Sequence, residues 1–174
     1  VLFFLLIYLS FSGASSIELN GSRTWGIRED IIDTAKSYLG TPYVYGGTSQ
    51  KGVDCSGLVY AVYKSVTGEE LPRRVADLIT AGEPVNDELI PGDLVFFDTT
   101  GGPSHVGISM GGKEFYHSAS AGKRIGVTID SLDTSYYKER YLGARRLLDD
   151  NPPHIIIKLD ENSLTRDFSF TLPK

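Results

Sequence analysis

The chain has one cysteine, one methionine, one tryptophan and three histidines among its 174 residues. A single thiol cannot close an internal disulfide, so no cystine framework holds this fold. Lysines and arginines form only the pairs Arg73-Arg74 and Arg145-Arg146, and with a formal net charge of -5 there is no electrostatic case for nucleic acid as a partner. No apolar run is long enough for a comfortable membrane span, and no internal repeat is present. What remains is an ordinary globular composition, 41% hydrophobic and 22% charged. It has room for one domain with a sizeable core plus modest extensions.

Residues 1–14 form an apolar run followed by small residues, and Ser12 and Ala14 suit a cut before Ser15. This is the pattern of a secretory signal peptide, although the charged n-region is missing, and it sets an expectation of a secreted or periplasmic protein. A buried first helix or an uncleaved anchor is the competing reading. Residues 15–26 read as a linker. From Ile27 the period is helical, with Ile27, Ile31, Ala35, Tyr38 and Leu39 on one face and Arg28, Glu29, Asp33 and Lys36 on the other. Gly40 and Pro42 close it. Residues 41–48 form an aromatic loop ending in Gly46-Gly47.

A second helix is expected over 55–67, with Leu58, Val59, Val62, Tyr63 and Val66 as a broad apolar face, and a third over 73–81. The period then becomes extended. Leu94-Val95-Phe96-Phe97 suits a central strand, 105–110 and 113–118 read as a hairpin across Gly111-Gly112, and further strands are expected at 124–129 and 141–147. Helices first and consecutive antiparallel strands afterwards is the order of an α+β domain, spanning 27–148. Residues 149–174 form a C-terminal extension with two strand-like runs, 154–159 and 167–172.

The chemistry-bearing stretch is Gly52-Val53-Asp54-Cys55-Ser56-Gly57, which puts the lone thiol at the start of a helix. A thiol attacks a carbonyl as the thiolate, and unpaired N–H groups in a helix's first turn favour that anion. Cys55 is therefore the candidate nucleophile, its thiol expected below the free value of about 8.5, with its own N–H available to an oxyanion. A small buried hydrophobe is the bland alternative for a lone cysteine. His105, at a strand start after a Gly/Pro loop, is the candidate base, and His117 is its candidate orienting partner.

The two histidines share a sheet face only in the right register. A two-residue turn at Gly111-Gly112 pairs Val106 with His117 and separates them. A three-residue loop, Met110-Gly111-Gly112, sets His105 opposite His117, so that loop or an equivalent bulge is expected, with glycine at positive φ. Either histidine alone is more simply a structural residue. A metal held by Cys and two His is the rival chemistry, and the spacings lack the close ligand pair it needs. Asp54 reads as a helix cap or a substrate contact.

These elements resemble the NlpC/P60 family of papain-like cell-wall cysteine peptidases. The match is carried by Gly-Thr-Pro-Tyr-Val-Tyr-Gly-Gly (40–47), Gly-Val-Asp-Cys-Ser-Gly-Leu-Val (52–59), Leu-Pro-Arg (71–73), Pro-Gly-Asp-Leu-Val-Phe-Phe (91–97), His-Val-Gly-Ile (105–108) and the His117 region. The resemblance implies a papain-like α+β fold with N-terminal helices packed on a central antiparallel sheet. It also implies an endopeptidase that cuts peptidoglycan stem peptides, typically between D-glutamate and a diamino acid, without a cofactor. Cys55, His105 and His117 take the catalytic positions, and Tyr43, Asp54 and Ser56 match positions lining the substrate pocket. After the matching Arg73, Arg74-Val75 and Leu78 depart from the family pattern of Arg-Thr-Ser and a later Gln. An amidase, an acyltransferase or a non-catalytic wall-binding module are the alternatives on this scaffold.

Overall fold

The computed structural model describes residues 15–17, 22–122, 124–148 and 157–159. The expected signal segment 1–14 and the strand-like run 167–172 lie outside these residues. In chain order the elements are β1 (Ser15–Ile17), α1 (Ser22–Ser37), β2 (Thr48–Ser49), β3 (Gly52–Val53), α2 (Cys55–Thr67), α3 (Val75–Leu78), β4 (Glu83–Pro84), β5 (Pro91–Asp98), β6 (Pro103–Met110), β7 (Glu114–Ala119), β8 (Gly126–Ser131), α4 (Ser135–Lys138), β9 (Tyr141–Arg146) and β10 (Ile157–Leu159).

The chain divides into two units, one of residues 23–150 and one combining 1–22 with 151–174. In the second, β1 pairs antiparallel with β10, Ser15 opposite Leu159. Part of the expected linker is thus a strand, and β10 falls within the expected run 154–159.

In the larger unit a six-stranded antiparallel sheet runs in the order β4-β9-β5-β6-β7-β8. β5 is central and apolar at every position from Leu94 to Phe97, so it is buried on both faces. Leu94 and Phe96 join Val106, Ile108 and Tyr116 against Ile31 and Ala35 of α1 and Leu58, Val59 and Val62 of α2. Val95 and Phe97 form a second cluster with Phe115 and Ala144, covered by Val85, Leu89, Leu132 and Tyr137. α4, which the apolar periodicity did not reveal, brings Tyr137 onto this second face.

Two helix expectations change. α1 begins at Ser22, before Ile27, and its first turn leaves Trp25 exposed, so no apolar stripe marks it. α3 is only Val75–Leu78, because Arg74 at its N-cap makes no side-chain cap bond and the chain turns after Ile79. Gly57 permits one close approach that matters later. A Cβ there would lie 1.9 Å from the Gly47 carbonyl oxygen, so only glycine lets the aromatic loop press against the first turn of α2.

Arg28 does not sit on a solvent face as its helical position suggests; it is 1% exposed. It donates to the Pro91 carbonyl at 2.7 Å and stands 3.8 Å from Asp93, itself fully buried. Arg146 on β9 grips the same carboxylate with Nε and an amino nitrogen at 2.9 and 2.8 Å. One buried carboxylate thereby ties α1, the start of β5 and β9. Tyr63 of α2 donates to the adjacent Gly92 carbonyl. Breaking a buried ion pair strands the surviving charge, so Asp93→Ala is expected to lower stability by about 3–5 kcal/mol. Urea unfolding checks this, and a loss below about 1 kcal/mol, typical of a surface pair, would contradict it.

Candidate active site

Asp54 starts α2 as an N-cap in extended conformation, its carboxylate accepting from the Gly57 N–H at 2.6 Å. The other carboxylate oxygen accepts from Gly46 N–H at 2.6 Å, which fastens the aromatic loop to the helix start. Ser56 Oγ donates to Asp54 at 3.3 Å, and Arg73 lays its guanidinium across both carboxylate oxygens at 3.1 and 3.3 Å. Both oxygens of Asp54 are therefore engaged within the chain, in the capping role. Arg73 was not among the expected site residues. Its only signal was its fixed place after Leu71-Pro72.

The aromatic loop runs beside β3. Val44 N–H donates to the Val53 carbonyl and Val53 N–H to the Pro42 carbonyl, both at 3.1 Å, so Tyr43 pairs with the residue two before Cys55. Burial first, and then the nearby Cys55 and Asp54, push the Tyr43 phenol above its ordinary value. The phenol is a neutral hydroxyl beside the thiol.

Cys55 is a free thiol, 9% exposed. Nearby backbone N–H groups at the helix start favour the thiolate, yet the thiol is pushed above its ordinary value. Burial is the larger cause and the Asp54 carboxylate the next. The expected lowering is thus reversed, because desolvation and a like charge outweigh the helix-start N–H groups. Cys55 shares a buried cluster with Val106, the residue after His105 on β6.

His105 and His117 come together on the sheet face of Phe97, Phe115 and Tyr137. The hairpin pairs Ile108 with Tyr116 and Ser109 with Phe115. Its loop is the three residues Gly111-Gly112-Lys113, one position later than expected, with Gly111 and Gly112 at φ 91° and 65°. Extending that pairing sets His117 across from Gly107, so the two histidines are diagonal neighbours on one face rather than direct opposites. His105 Nε2 and His117 Nδ1 share a hydrogen bond of 2.9 Å, the rings edge-on at 85°. Burial, and next the neighbouring His117, hold the His105 imidazole far below its usual range, at about 3.

His117 is fully buried and makes a second bond, from Nε2 to Asp130 at 2.9 Å. The Tyr137 hydroxyl stands 3.4 Å from the same nitrogen. Arg124 touches the other Asp130 oxygen at 3.4 Å. Sequence reasoning missed Asp130 and Tyr137. The expected strand 124–129 stopped one residue short, although the alternation Val127-Thr128-Ile129-Asp130 already separates apolar from polar positions.

An open cleft of about 1040 Å³ passes His105 and Asp130, walled by Thr99, Arg124, Tyr136 and Tyr137. A smaller hollow of about 470 Å³, lined by Asp30, Asp33, Thr34, Ser37, Ser65 and Val66, shares none of these residues. Among the described residues no group of three or more His, Cys, Asp or Glu is arranged to hold a metal ion.

A buried helix-start cysteine, set against a strand whose histidine is braced by a second polar residue, on helices packed over an antiparallel sheet, defines the class: a papain-like cysteine-peptidase domain. The sequence pattern of the NlpC/P60 family matches residues 40–146, and the chain belongs to that family. It is 42% identical over 120 residues to the "Probable endopeptidase NlpC" of Escherichia coli K12, which covers 67% of this chain and 76% of that protein. It is 40% identical over 122 residues to the gamma-D-glutamyl-L-lysine dipeptidyl-peptidase of Bacillus subtilis 168, covering 68% of this chain but only 40% of that longer protein. The crystal structure of an NlpC/P60 family protein from Bacillus cereus ATCC 10987 superposes with a TM-score of 0.63 at 38% identity, over 70% of this chain and 40% of that one.

A thiol raised by burial is neutral at about pH 7 and ionises as pH climbs. The rate of iodoacetamide alkylation of Cys55 is accordingly expected to be slow at neutral pH and to rise steeply above about pH 9. A plateau already reached near pH 6 would reveal a resting ion pair and contradict this picture.

Proposed function

We propose that this chain is an extracytoplasmic cysteine endopeptidase that hydrolyses peptidoglycan stem peptides at the bond between D-glutamate and a diamino acid. The observation that carries it is that Cys55, at the start of α2, shares a buried cluster with Val106, the residue after His105, whose ring is hydrogen-bonded to His117 at 2.9 Å. Support for the substrate comes from the relatives' names, one an endopeptidase and one a peptidase named for a gamma-D-glutamyl-L-lysine bond. The apolar run 1–14 supports export, and no described helix is long and apolar enough to cross a membrane.

The steps follow from the atoms available. His105 Nε2 is occupied by His117, so Nδ1 is the nitrogen left to take the Cys55 proton. A buried neutral thiol beside a neutral imidazole moves that proton as sulfur attacks, forming the C–S bond while the carbonyl oxygen becomes an oxyanion. The Cys55 N–H at the helix start is the donor suited to that oxyanion. Collapse breaks the C–N bond, and His105 returns its proton to the departing amine. Water then attacks the thioester, its proton passing through His105 to sulfur, and a carboxylate leaves. Tyr43 and Ser56 flank Cys55 as the proposed substrate contacts, and Asp54 supports them by fixing the loop and the helix start. The cycle as written needs no metal or organic cofactor.

Cys55→Ala is expected to slow release of product from purified muropeptides by at least about a thousandfold. Retention of the wild-type rate would sink the reading. Mass spectrometry of the products separates it from an amidase, an acyltransferase or cleavage at another peptide bond, since only the proposed cut leaves a stem ending in D-glutamate. His117→Ala is expected to lower kcat more than it raises KM, as loss of an orienting group should; a change confined to KM would reassign His117 to substrate binding.

A further inference from the structure

We infer that Asp130 is a positioning residue that terminates a directed hydrogen-bond chain, Asp130–His117–His105, and thereby decides which nitrogen of His105 is bare. This inference rests on the reading of His105 as the base.

The chain has three members and two bonds of 2.9 Å, Asp130 Oδ2 to His117 Nε2 and His117 Nδ1 to His105 Nε2. A carboxylate only accepts, so His117 Nε2 carries the hydrogen of the first bond. A neutral His117 then has a bare Nδ1, which accepts, and His105 Nε2 supplies the hydrogen. With its one hydrogen on Nε2, His105 presents a bare Nδ1. Reversing the chain would put a hydrogen on Nδ1 and leave no lone pair for the thiol proton.

His117 alone cannot impose this sense. Between two neutral imidazoles either nitrogen can donate, and the bond geometry is the same both ways. The asymmetry has to enter from outside the pair, and Asp130 is the acidic group bonded to it. Its carboxyl is held below the ordinary carboxylate range first by the His117 bond and then opposed by burial, so it remains an acceptor. Arg124 contacts its second oxygen at 3.4 Å. Tyr137 is the other polar group at His117 Nε2, and at 3.4 Å its hydroxyl is the longer, weaker contact.

The sheet register is what brings Asp130 here. β7 and β8 pair His117 with Thr128 and Phe115 with Asp130, so Asp130 lies on the histidine face, diagonal to His117. It is two strands away from His105, part-exposed in the wall of the cleft, and contacts the base only through His117.

The test uses the full chain labelled with ¹⁵N at histidine, where the three histidines give a spectrum simple enough to assign with His154→Gln. At neutral pH the wild type is expected to show hydrogen on Nε2 of both His105 and His117. In Asp130→Asn the side-chain amide can donate to His117 Nε2, so His117 is expected to shift toward the Nδ1-protonated form, and kcat on a tripeptide muropeptide to fall between about 10-fold and about 100-fold with KM little changed. Asp130→Glu, which retains a carboxylate, is expected to recover part of that loss. Wild-type spectra showing hydrogen on His117 Nδ1 would overturn the inference without any variant having to fold. An Asn variant with unchanged tautomers, or with an unchanged kcat, would overturn it as well. Because the spectra need no turnover, expected tautomers in a protein that cleaves no muropeptide would leave the chain standing and remove only the peptidase reading.

Discussion

The register between β6 and β7 is the constraint on which the site depends. Side chains alternate faces along a strand, so a shift of one residue would carry one histidine through the sheet to the helix side. The pairing of Ile108 with Tyr116 keeps positions 105 and 117 on the same face, and two glycines at positive φ make the three-residue loop that imposes it. The same parity continues outward through β8, where Asp130 arrives beside His117. Strand pairing therefore aligns the two imidazoles and the Asp130 carboxylate before any side chain has to adjust.

Cys55 is positioned by different means. Asp54 caps α2, accepts the Gly46 N–H, and is gripped by Arg73, so helix start, aromatic loop and the turn after Pro72 converge on one carboxylate. Gly57 removes the Cβ that would keep the loop away. The same carboxylate, with burial, opposes ionisation of the neighbouring thiol. A residue that reads in the linear motif as a cap or a substrate contact is a structural hub that makes the resting thiol harder to ionise. Burial likewise lowers the basicity of His105, so both the thiol and the imidazole rest neutral.

Much of this was legible from residue order alone, and the misses share a cause. The helix around Cys55, the double-sided strand 94–97, the hairpin and the three-residue loop are all local patterns, and each is present with shifts of a few residues at its ends. Arg28 was misread because helical periodicity treats charge as a mark of solvent, whereas here Asp93 from a distant strand gives the guanidinium a buried partner. Asp130 was missed because its partner lies thirteen residues away, across a loop whose length alone does not fix the pairing.

Local sequence thus determined the elements and the reactive residue types. A lone cysteine after a capping aspartate, a glycine-rich hairpin and strand histidines are written in neighbouring positions, where propensity and spacing act. Tertiary structure decided what those groups are like chemically. Whether a thiol is easy or hard to ionise, whether an arginine is buried, and which nitrogen of an imidazole is bare depend on desolvation and on partners from other strands, which act through space and have no signature in residue order.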